Sequence, residues 1–124
     1  MITLCLDPGI KHTGISISTD DHLAQPLTVI DSPDLPSLVS KLKIIISQHK
    51  PDKIIIGQPS YGTIVEFARN LQTTIQNIFT GPIILYPEDL SSKMSNKLKS
   101  KNNSKHHLAS AIILQEYLDS RGII

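Results

Sequence analysis

Asp7-Pro8-Gly9 closes the apolar run Ile2-Thr3-Leu4-Cys5-Leu6 and constrains this chain more than any other feature. It sets a carboxylate at the end of a strand whose composition predicts burial. A charge there is costly to desolvate unless a hydrogen bond, a cation or a metal compensates it. Pro8 fixes φ and Gly9 allows a left-handed turn, so the chain is expected to fold straight back into His12–Ser18. A hairpin with an acid at its root can hold a metal ion over a sheet. The same tripeptide can also be a plain turn in which Asp7 caps its own backbone, and both readings fit it taken alone.

At 124 residues the expectation is a single domain over 1–124 with a full core. Forty per cent hydrophobic and 19% charged residues fit a soluble globular protein. No apolar run approaches the roughly 18–20 residues of a membrane span, which argues against a membrane partner. Met1 leads directly into strand-like sequence without the pattern of a signal peptide. The single cysteine, Cys5, cannot form an internal disulfide and fits a small core residue. The expected location is the reducing cytoplasm.

The net charge of +1 conceals an asymmetry. No acid occurs between Asp89 and Glu116, where Lys93, Lys97, Lys99, Lys101 and Lys105 fall together with His106 and His107. Elsewhere seven Lys and Arg face eleven acids, a net charge of −4. A local basic run on an otherwise acidic body predicts contact with a polyanion, the alternative being a solvated Ser/Asn-rich loop.

Ile2–Leu6, Gly14–Ser18 and Leu23–Ile30 read as three antiparallel strands, with Asp20-Asp21 turning the chain before the third. Asp34 is expected to cap a helix carrying Leu35, Leu38, Leu42, Ile45 and Ile46 and ending at Lys50-Pro51. Lys53–Gly57 is uniformly apolar after its lysine, as in a strand covered on both faces. Thr63-Ile64-Val65-Glu66 has the form of a capping box opening a helix with Ile64, Phe67, Ala68, Leu71, Ile75 and Ile78 on one stripe. Gly81-Pro82 ends it, Ile83–Tyr86 is a further strand, and Leu108–Leu118 a final helix. The order βββαβαβα predicts an α/β fold: a five-stranded mixed sheet with helices on both faces, the ribonuclease H-like arrangement.

Five stretches then resemble, in order, the YqgF/RuvX family of Holliday-junction-resolvase-like proteins, put forward as nucleases for precursor 16S ribosomal RNA. They are Leu6–Gly14, Ala24–Leu27, Ile55–Pro59, Val65–Leu71 and Leu108–Asp119. The resemblance runs from about residue 3 to 119. It implies a site of clustered acids: the Asp of the Asp-Pro-Gly, an Asp-Glu pair after the last strand, and an Asp in the first turn of the final helix. Asp7 takes the first place. Glu88 keeps the Glu of the second, with Pro87 in place of the Asp, and Asp89 is a reserve candidate if the register slips by one. His106 stands at the third, with His107 beside it, and His12 replaces an Arg of the opening motif.

Phosphodiester hydrolysis needs a nucleophilic water and stabilisation of a leaving oxygen, which two divalent ions about 3.5–4 Å apart supply together. Mg²⁺ selects hard oxygen ligands, so Asp7 and Glu88 are the candidate metal ligands, and Asp7, Glu88 and His106 the candidate catalytic set. Three readings of His106 stay open. It can favour Mn²⁺ over Mg²⁺, act as an acid, base or proton shuttle, or mark a site that has lost its third ligand. The positive end of the helix dipole favours a neutral imidazole there.

Lys11, beside Asp7, and the five lysines from Lys93 to Lys105 are the candidate nucleic-acid contacts. Tyr61 lies at the expected edge, but five aromatics in the chain make no base-stacking platform. Glu66 fits the capping box better than a metal site. The function expected is a Mg²⁺- or Mn²⁺-dependent nuclease on RNA or branched DNA, as a monomer or homodimer. The alternatives are a catalytically weak or inactive nucleic-acid-binding module on the same fold and, less favoured with one domain, a nucleotide-phosphate binder.

Overall fold

The computed structural model describes residues 1–9, 11–58, 62–87 and 105–122. Its elements are β1 (Thr3–Asp7), β2 (His12–Ser18), β3 (Gln25–Asp31), α1 (Leu35–His49), β4 (Lys53–Gln58), α2 (Thr63–Ile75), β5 (Ile83–Pro87) and α3 (Lys105–Gly122). The strands form one sheet in the order β3-β2-β1-β4-β5. β1 lies at its centre, antiparallel to β2 and parallel to β4, while β5 extends the parallel half. This is the expected mixed sheet and element order.

Central strands with both faces covered must be apolar at every position. Leu4, Leu6, Ile54 and Ile56 pack on one face with Leu38, Val39 and Leu42 of α1 and Leu71 and Ile75 of α2. Their neighbours Cys5 and Ile55 point to the other face and pack under Ile113, Leu114, Tyr117 and Leu118 of α3. The single cysteine is thus a buried core residue.

Small residues let α3 lie close to the sheet. Ser110, fully buried, donates its hydroxyl to the Cys5 carbonyl at 2.9 Å and accepts from the Ser16 hydroxyl at 2.9 Å. At the other end of the contact, the buried Lys53 ammonium donates to the Tyr117 hydroxyl at 3.0 Å, and Tyr117 meets Tyr86 edge to face at 6.0 Å. Cys5 follows Thr3 along β1, and Thr3 pairs with Lys53, so α3 runs antiparallel to β1.

Helix α1 begins as expected, with the Asp34 carboxylate accepting the Ser37 amide at 2.9 Å, and that bond holds the carboxyl pKa below its ordinary value. It ends at Lys50, in the left-handed region at φ 49°, directly before Pro51. Three expectations are corrected. The capping box at Thr63–Glu66 does not form: Gly62, at φ 87°, is the N-cap, and Thr63 is already helical, one residue too late to cap. The third strand starts at Gln25 rather than Leu23, because the Asp20 carboxylate accepts the amides of His22 and Leu23 and keeps both in the turn. The last helix starts at Lys105 and so takes in Lys105, His106 and His107. Ile78 packs on the core as expected, but from a turn beyond α2.

One buried group sets a pH dependence. Glu116 Oε2 is buried and has no hydrogen-bond partner among the described residues. Burial, and secondarily the charge of Asp119, holds its pKa above the usual value of 4.5. The folded state therefore keeps a proton that the unfolded chain releases, and stability falls as pH rises above the ordinary carboxylate range. Glu116→Gln is expected to raise the thermal midpoint by about 1–3 °C near neutral pH, a gain discounted for partial exposure. Below about pH 4, where both states are protonated, the gain should vanish. Thermal denaturation at the two pH values checks this.

Candidate active site

The parallel register brings three strand ends to one edge of the sheet. Leu6 pairs with Ile56, which sets Asp7 level with Gly57, and Gly57 and Gln58 pair with Tyr86 and Pro87. Asp7 is the last residue of β1 and is half-buried. By strand alternation it shares the face of Cys5, the face that α3 covers.

The direction of α3 determines what meets this edge. Its Tyr117 end lies over the start of β4 and its Ser110 lies over Cys5, so its first turn lies toward the Asp7 end. His106 precedes Ser110 by four residues, about one helical turn. An acid at the end of the central strand and the start of α3 are thus brought to the same edge. Glu88, the residue after β5, lies outside the described residues, as do Asp89, Tyr61, Lys93, Lys97, Lys99 and Lys101. Lys105 is the first residue of α3. Among the described residues no three His, Cys, Asp or Glu side chains form a group able to hold a metal ion. Asp7 alone of the three expected catalytic residues has a described side chain. Its hard oxygens suit Mg²⁺ or Mn²⁺.

The hairpin turn needs glycine for a different reason from the one expected. Gly62 is the described glycine with positive φ, and Gly9 is not in that region. A Cβ at Gly9 would instead overlap the carbonyl oxygen of His12. The constraint is close approach of the two hairpin arms beside Asp7.

Beyond the turn, His12 pairs with Asp31 in the β2–β3 register, and its Nδ1 contacts the Asp31 carboxylate. The Ser32 amide donates to the Lys11 carbonyl at 2.9 Å, and the Lys41 ammonium donates to the Asp31 carbonyl at 2.6 Å. Lys11 is exposed in this corner. Sequence reasoning named His12 but missed its partner, because the partner follows only from the register of two strands. Glu66 is exposed in the first turn of α2.

A central strand ending in an acid, an antiparallel meander on one side, a parallel pair on the other and helices on both faces define a ribonuclease H-like α/β protein. Thermus thermophilus RuvC, solved with a Holliday junction substrate, shares this fold, with a TM-score of 0.69 at 14% identity over 99% of this chain and 96% of that one. The fowlpox virus Holliday junction resolvase gives a TM-score of 0.61 at 15% identity over 97% and 99% of the two chains. The family model for RuvX, described as Holliday junction resolvase, matches residues 1–120, and the chain belongs to this family. A protein of Aster yellows witches'-broom phytoplasma (strain AYWB), named "Putative pre-16S rRNA nuclease", is 35% identical over 94% of this chain and 88% of its own. One of the same name from Lactococcus lactis subsp. cremoris (strain SK11) is 30% identical over 97% and 95%.

The close approach at Gly9 carries a stability prediction. Gly9→Ala should force the hairpin arms apart beside Asp7 and cost about 1–3 kcal/mol, the usual penalty for overpacking. A lowered urea midpoint with an unchanged slope checks it.

Proposed function

We propose that this chain is a metal-dependent nuclease that hydrolyses phosphodiester bonds in structured nucleic acid, with precursor 16S rRNA or a branched DNA junction as its substrate class. The observation that carries the reading is the position of Asp7: a half-buried carboxylate ending the central strand, at the edge toward which α3 begins. Names of relatives with 30% identity or more over nearly the whole chain support the same chemistry.

In this reading Asp7 and Glu88 hold the divalent ion, which when bound activates water and offsets phosphate charge. The apolar layers under β1 keep the Asp7 backbone fixed. Lys11 and the basic run from Lys93 to Lys105 hold the polyanion through its backbone phosphates. His106, in the first turn of α3, moves or holds a proton near the scissile ester.

A second reading rests on that same residue. A histidine at the position where the family resemblance implies an acid also fits a protein that binds nucleic acid and cuts it poorly.

Cleavage of labelled RNA and of a four-way DNA junction, with Mg²⁺ or Mn²⁺, separates the two. The nuclease reading expects metal-dependent cutting that falls by about 10²-fold or more in Asp7→Asn, the scale of losing one principal electrostatic group. Binding without cutting in either metal supports the binding module.

A further inference from the structure

Beside the edge that carries Asp7 lies a second polar corner, where the β1–β2 turn meets the exit from β3. A shallow cleft of ≈ 420 Å³ is lined there by Lys11, His12, Asp31, Ser32 and Pro33. Its parts come from two hairpin arms and the connection into α1, and each is tied down. The Ser32 amide is bonded to the Lys11 carbonyl, and the Lys41 ammonium to the Asp31 carbonyl.

The register relates this corner to Asp7. Asp7 pairs with Gly14, and His12 lies two residues beyond Gly14 on β2. Side chains two apart on a strand share a face, so His12 and Asp7 lie on the same face of the sheet. Their positions differ by about one dipeptide repeat, roughly 7 Å along the strand, plus one strand spacing of about 5 Å. Successive phosphates of a nucleic-acid strand are separated by a comparable distance, so a chain positioned over Asp7 meets this corner without bending away.

Charge does not oppose the same ligand. Lys11 and Lys41 balance Asp31 and Asp34, so the corner is neutral on an otherwise acidic body, and both lysines are exposed. The Asp34 carboxylate is turned to the Ser37 amide at the N-terminus of α1. Asp31 also holds the His12 ring by Nδ1, so a partner meets a pre-oriented imidazole and less rotamer freedom is lost on contact.

We propose that Lys11 and the Asp31-held His12 form a phosphate-binding subsite for the nucleic-acid strand next to the one positioned by Asp7. The proposal rests on the nuclease reading for its substrate, and Asp31 acts in it as a positioning residue. The structural alternative is that His12 and Asp31 only staple β2 to β3.

The test compares binding of a fluorescein-labelled RNA stem-loop, without divalent metal, across a KCl series at one fixed pH. Each phosphate contact contributes about 0.7–0.9 to the slope of log affinity against log salt. His12→Ala and Lys11→Ala are each expected to reduce the slope by about that amount and weaken binding about three- to tenfold at low salt. His12→Arg should restore both, because a guanidinium can meet Asp31 and a phosphate together. Lys43→Ala, exposed on α1 across the sheet, should change neither. Unchanged slopes in His12→Ala and Lys11→Ala overturn the subsite, whatever happens to thermal stability. If His12→Ala does not fold, Lys11→Ala and His12→Arg still decide it: a reduced slope in the first with a wild-type slope in the second supports it, and any other pair overturns it. Slope changes in a chain that never cuts sink the nuclease reading alone, and cutting with unmoved slopes sinks the subsite alone.

Discussion

The Ser110 hydroxyl donates to the Cys5 carbonyl in a layer from which water is excluded, and this bond fixes how far along β1 the last helix can sit. A buried serine hydroxyl left unpaired would cost about 1–3 kcal/mol, so a slip of α3 by one residue is strongly penalised. Ser16 locks the same hydroxyl from β2, tying three elements at one point. The apolar contacts of Ile113, Leu114 and Leu118 supply adhesion without direction. The serine contact supplies the register, and the register brings the first turn of α3 toward the edge that carries Asp7.

The same logic explains why the acid stands at the end of β1 rather than within it. Leu4, Cys5 and Leu6 are fully buried, and a carboxylate among them would be desolvated on both faces. One residue later the layers thin, and Asp7 is half-buried. There it keeps contact with water and is still held at the end of a strand. The hairpin closes tightly after it because Gly9 has no Cβ to strike His12. Asp7 is therefore held on secondary structure, whose positions are more precise than those of a free loop.

Much of this was legible in the sequence, for reasons that differ by element. The uniformly apolar Ile54-Ile55-Ile56 and the stripes of α1 and α2 are written in hydrophobic period, which burial enforces directly. Asp34 was readable as a cap because capping is local. The capping box at Thr63 is misleading because the helix starts one residue earlier than that pattern implies, with Gly62 as its N-cap and Thr63 already helical. Residue pattern alone starts the third strand two residues too early, because the Asp20 side chain competes with the sheet for the amides of His22 and Leu23. In the site, Asp7 was visible from its turn, whereas the His12–Asp31 pair joins residues nineteen apart and exists only once β2 and β3 have their register.

The proposed metal site has Asp7 and Glu88 holding a divalent ion at the sheet edge where β1 ends. Titrating Mn²⁺ into the isotopically labelled chain and following paramagnetic broadening of backbone amides tests it directly, because broadening reports distance from the ion without requiring turnover. The account predicts that the amides of Asp7, Gly57 and His106 broaden first, while Thr3, Lys53 and Tyr117 at the opposite end of the sheet stay sharp. Broadening centred on that opposite end, or no selective broadening at all, would contradict it.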